Sequence, residues 1–109
     1  MTTTTTATRL GPATTRVLRD DLKRITGRAL SEVRITPARY DRSTVYCAMA
    51  LDRQGREVPL PGMQRAVVGA VRRCFPDADW SRAQDYDVVT GILRQHVVRL
   101  PACLEGDDL

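Results

Sequence analysis

Few side chains in this sequence are of a type and spacing that could do chemistry. Asp77, Asp79, Asp85 and Asp87 form two Asp-x-Asp pairs. Carboxylates grouped in this way could offer oxygen ligands to Mg²⁺ or Ca²⁺. The pattern is not an EF-hand loop. Counting from Asp77, the glycine position holds Arg82 and the final glutamate position holds Val88. A solvated acidic loop accounts for the four residues, so no metal and no cofactor is assigned. His96 is the only histidine and the one side chain that ordinarily titrates near neutrality. Thiol catalysis would require pairing it with Cys47, Cys74 or Cys103, and no spacing supports such a pair. The nucleophile elbow G-x-S-x-G and the phosphate loop G-x-x-x-x-G-K-[ST] are absent. Catalysis is therefore not expected. A small enzyme centred on His96 and the 77–87 loop is the third reading.

The second group able to do chemistry is basic. Arg16, Arg19, Lys23, Arg24 and Arg28 fall on or just after one predicted helix, with Arg9 upstream. A stripe of this kind could track a phosphate backbone, each contact adding salt-sensitive affinity. Asp20 and Asp21 interrupt it, and their spacing to Arg24 suits ordinary ion pairs on a helix surface. A helix-turn-helix needs a second helix directly after Gly27, where strand-like residues follow instead. An RNA-binding sheet needs stacking aromatics, and Tyr46 stands alone on its strand.

Charge is divided unevenly along the chain. Residues 1–75 hold fourteen Arg or Lys against six Asp or Glu, a net of +8. Residues 76–109 are net −4. Sixteen of the seventeen basic residues are Arg, spread along the whole length. Such a spread fits a GC-rich bacterial coding background better than a nucleic-acid footprint, so only the placement of Arg carries information. Three separated cysteines with no C-x-x-C pair suit a reducing compartment. No apolar run is long enough for a membrane span, and the N-terminus lacks the apolar core of a secretory signal. The expected location is the cytoplasm.

The elements that must position these groups follow from periodicity and breakers. Residues 1–11, with five consecutive threonines, have little to bury and are expected to form a disordered arm. Pro12 opens a helix with Leu18, Leu22, Ile25 and Ala29 on one stripe and Val17 beside it; Gly27 ends it near Thr26. Residues 32–36 alternate as a short strand that Pro37 should stop. Residues 43–52 carry the strongest strand signal. Val45, Cys47, Met49 and Leu51 form one face and Thr44, Tyr46, Ala48 and Ala50 the other, whose small residues would let a helix or another sheet approach closely. Gly55 suits a turn, and residues 57–60 return as an edge strand because Pro59 cannot donate to a ladder. A second helix covers residues 63–75, with Met63, Val67, Ala70, Val71 and Cys74 on its stripe. Residues 77–100 read either as a helix or as a hairpin bent at Thr90-Gly91; β-rich composition favours the hairpin.

This order predicts a small two-layer α+β domain over residues 12–101. Its mostly antiparallel sheet would have four to five strands with two helices on one face. Residues 102–109 form an acidic C-terminal tail. The expected function is a non-enzymatic cytoplasmic module that binds another protein or itself, with no small-molecule substrate identified. An exposed strand edge near Val58 and the oppositely charged halves support that expectation. The alternative is a DNA- or RNA-binding regulator using Arg16, Arg19, Lys23, Arg24 and Arg28.

Overall fold

The computed structural model describes residues 7–97. The acidic tail and Cys103 lie outside them, as do the first six residues of the arm. In chain order the elements are β1 (Ala7–Arg9), α1 (Pro12–Thr26), β2 (Leu30–Tyr40), β3 (Ser43–Asp52), β4 (Glu57–Val58), α2 (Gln64–Cys74), β5 (Gln84–Asp87) and β6 (Ile92–Gln95). The strands form one antiparallel sheet in the order β1-β6-β5-β2-β3-β4. This is the α+β architecture that the order of elements predicts, with one more strand than expected.

The extra strand is β1. Residues 7–9 are not a disordered arm; they pair with Ile92–Arg94 of β6. The expectation failed because a three-residue polar segment has no periodicity of its own. It is ordered by the ladder that β6 offers and by the bond from the Leu10 amide to the Gly91 carbonyl, 2.9 Å long.

Helix α1 begins at a proline and ends where Gly27 takes φ +75, as its breakers dictate. Leu18 and Leu22 are buried against the sheet and Ile25 packs at the margin. Each buried leucine contributes about 1.5–3 kcal/mol of transfer free energy. Val17 does not join them; it is 59% exposed on the opposite flank. Helix α2 buries Val67, Val68, Ala70 and Val71 and leads into buried Phe75. Tyr86 lies at the centre of the core, with its ring edge-on to Phe75 at 5.5 Å. Its hydroxyl is buried without a partner among the described residues, and burial pushes its pKa up to about 12. Trp80 closes the loop after α2 by donating its indole N–H to the Phe75 carbonyl at 2.9 Å.

One expectation about β2 needs correction. Pro37 does not stop the strand, which runs on to Tyr40 and pairs with β3 down to Tyr40↔Ser43. Pro37 faces Tyr46, two residue pairs further out than Ile35 and Ala48. The Ala48 amide points away from β2, since it donates to Gln64 Oε1 at 3.1 Å. Alternate residues along a strand share a direction, so the Tyr46 amide points away too and Pro37↔Tyr46 is a non-hydrogen-bonded pair. The missing N–H of Pro37 therefore faces the β5 side, where β5 has already ended opposite Ile35. No ladder bond is lost.

The faces of β3 alternate as expected, and a helix approaches the one with the small residues. The buried face is that of Tyr46, Ala48 and Ala50, where small side chains let α2 approach. Val45 is 44% exposed and Cys47 is exposed on the outer face, so that thiol does not fill the core. The helix layer leaves little room above the centre of β3.

Candidate functional site

The sheet has a helix-covered face and an open one. Register places Arg94 beside Asp85, Asp85 beside Arg34, and Arg34 beside Met49 in one row across the open face. Arg34 Nε donates to Asp85 Oδ1 at 2.7 Å, and an Arg34 terminal nitrogen lies 3.6 Å from Glu32. His96 Nδ1 lies 2.8 Å from the other Asp85 oxygen. Asp85 is thus held between a guanidinium and an imidazole. The partner of His96 is a carboxylate on the neighbouring strand and none of the cysteines weighed for it. Cys74 is half-buried on α2, and burial raises its thiol above the usual 9.0, which disfavours the thiolate that nucleophilic chemistry needs.

The four aspartates do not converge. Asp87 accepts from the Val89 and Thr90 amides at 2.9 and 3.0 Å and so holds the β5–β6 turn. Asp79 accepts from the Ser81 amide and hydroxyl, and these bonds hold its carboxyl below the usual 3.8. Asp85 is engaged as above, and Asp77 is exposed after α2. Among the described residues no group of three His, Cys, Asp or Glu is gathered for a metal ion. None of the described helices is long and apolar enough to cross a membrane.

The five basic residues singled out on α1 are split by the fold. Arg24 pairs with Asp21 at 3.1 Å, the ion pair its spacing predicts. Arg28 lies past the helix end, in a shallow groove with Asp52 and Arg53. Lys23 is exposed on the outer flank. Arg16 and Arg19 turn towards the start of the helix and share a groove with Arg9 from β1. Arg19 is anchored there by donating to the Val89 carbonyl at 3.2 Å. Arg72 leaves the solvent side of α2 that its spacing suggests. Its guanidinium stacks 4.0 Å from the centre of the Tyr46 ring and 5.7 Å from that of Trp80.

The feature with no counterpart in the sequence reading is the outer half of the β2–β3 hairpin. β5 pairs with β2 only over Glu32–Ile35, and β4 pairs with β3 only at Ala50 and Leu51. Beyond those points the hairpin is a two-stranded ribbon, and residues 38–45 are all exposed. The free rungs from Thr36 to Tyr40 extend about 17 Å at the usual strand rise. A two-residue turn closes the ribbon, with Asp41 at φ 48 and Arg42 at φ 66. The two edges differ. The free β2 edge carries Pro37 and Arg39, which discourage pairing. The β3 edge from Ser43 to Cys47 has no charge, no proline and no glycine. Gln64 caps that edge at Ala48, but the outward amides of Thr44 and Tyr46 have no strand beside them among the described residues. The expected edge near Val58 exists, yet it is only two residues long and offers little.

Comparison with known protein families, with curated proteins and with solved structures finds no match for this chain.

Proposed function

We propose that the chain is a non-enzymatic interaction module that pairs through the outer edge of β3, and that its partner is a second copy of itself. One observation carries this reading: the unguarded, uncharged edge at Ser43–Cys47 on a ribbon that projects past its own sheet. A two-stranded ribbon exposing Tyr40 and Val45 is marginal in water, and exposed edges of this composition pair with other strands. An antiparallel meeting of two identical edges is self-complementary, which is the geometry of a two-fold dimer. Main-chain hydrogen bonds would supply affinity and the alternate side chains would set register.

Thr44→Pro tests the reading. It removes the outward N–H, and it leaves the pairing with β2 intact because that amide does not point to β2. Sedimentation from micromolar to submillimolar concentration should show a monomer–dimer equilibrium for the natural chain. Thr44→Pro should be monomeric with an unchanged circular dichroism spectrum. A natural chain that stays monomeric over that range overturns self-association. A dimer that survives Thr44→Pro moves the interface elsewhere.

A further inference from the structure

Local chemistry is violated at the start of α1. The helix has no side-chain cap at Gly11 and no acidic residue in its first turn, so the positive end of its dipole is unopposed. The fold nevertheless brings three cations there: Arg16 and Arg19 from the helix and Arg9 from β1. They line an open groove of about 520 Å³ between α1 and the β5–β6 turn. None of the described residues lining it is acidic. Like charges gathered at the positive end of a helix repel each other and the dipole, a cost that an anion in the groove would remove.

Two further atoms point the same way. Arg19 Nε and Thr90 Oγ1 are both buried with no hydrogen-bond partner among the described residues, and both side chains line this groove. Orphaned donors of this kind destabilise the fold unless a ligand or water meets them. Arg19 is already oriented by its bond to the Val89 carbonyl, so little entropy remains to be lost when it binds.

We infer that this groove is a phosphate-binding site for a small phosphorylated ligand, with Arg9, Arg16 and Arg19 as its clamp and Thr90 as a hydroxyl donor. Guanidinium forks match phosphate oxygens in pairs. The size is that of a small-molecule pocket. A single-stranded nucleic acid is the less favoured occupant. It needs aromatic faces to stack its bases, and among the described residues no aromatic side chain lines the groove, whose apolar contribution is Leu10, Pro12 and Val89.

The test is titration calorimetry of the full chain with inorganic phosphate, with adenosine monophosphate and with a single-stranded octanucleotide. Arg9→Gln and Arg16→Gln replace exposed side chains, so the fold should tolerate them. Arg65→Gln on the exposed side of α2 is the control. Phosphate and the monophosphate should bind the natural chain. Each groove variant should weaken that binding about tenfold or more, the loss of one charge-assisted contact, and the control should not. Absence of binding by both small probes overturns the site, as does an equal loss in Arg65→Gln. Tighter binding of the octanucleotide than of the monophosphate, sensitive to Arg16→Gln, overturns the small-ligand assignment.

Discussion

Gly91→Ala should be among the most costly single-methyl changes in this chain, and its size can be worked out from the structure. Gly91 sits at φ +78 in the turn between β5 and β6. An alanine there pays about 1 kcal/mol for the left-handed backbone. The added Cβ would also collide with Thr15 of α1, falling 3.1 Å from Cγ2 and 3.2 Å from Cβ and nearer still to Oγ1. Overpacking of this kind costs about 1–3 kcal/mol. Loss of unfolded-state freedom returns about 0.4–1 kcal/mol. The net expectation is about 2–3 kcal/mol of destabilisation, read as a lower urea midpoint by circular dichroism at an unchanged slope. Gly27→Ala is the internal reference, since φ is +75 there and nothing lies within 4 Å of the new Cβ. It should cost only the net backbone part, about 0–0.6 kcal/mol. Thr15→Ala removes Oγ1 and Cγ2, so adding it to Gly91→Ala should recover about 1–2 kcal/mol of the double-mutant sum. Equal costs at Gly91 and Gly27, or no coupling with Thr15, would refute the reasoning that the helix start is packed onto this turn.

Three further outcomes follow from the geometry. Arg42→Gly should stabilise the hairpin by about 0.5 kcal/mol in the same urea experiment, because a two-residue turn with both φ values positive prefers glycine at its second position; a loss of stability would count against that turn. Tyr86→Phe should be neutral or slightly stabilising, within about 1 kcal/mol, because it removes a buried hydroxyl that has no partner; a larger loss would reveal a bond to that oxygen. Asp52 accepts from the Arg56 and Gln54 amides at 2.9 Å each, and the Arg56 bond leads in holding its carboxyl below 3.8. A carboxyl lowered on folding stabilises the native state above its unfolded pKa, and that contribution is lost as pH falls below 3.8 through the folded value. Asp52→Asn should therefore show a smaller fall in melting temperature between about pH 6 and about pH 3 than the natural chain does.

The elements whose reading needs only neighbouring residues were legible. Pro12 and Gly27 bracket α1, residues 43–52 alternate as β3, and Thr90-Gly91 marks a bend between short β-rich runs. Capping, alternation and left-handed turn positions are properties of a few consecutive residues, so a sequence displays them. The missed features depend on what lies alongside. Pro37 breaks a strand only if its N–H would face a partner, and here β5 ends two rungs earlier. Residues 7–9 became a strand because β6 offered them an edge.

The candidate sites divide in the same way. The sequence by itself determined that Arg16, Arg19 and Lys23 would lie on one helix and that Asp20 and Asp21 are both spaced to pair with Arg24; the fold selects Asp21. Only the tertiary structure could bring Arg9 beside Arg16 and Arg19, because β1 reaches them through a sheet whose order follows pairing and not chain sequence. Likewise, the uncharged composition of residues 43–47 is plain from the letters. That this stretch has one side with no neighbouring strand could not be, because an edge is defined by where other strands stop.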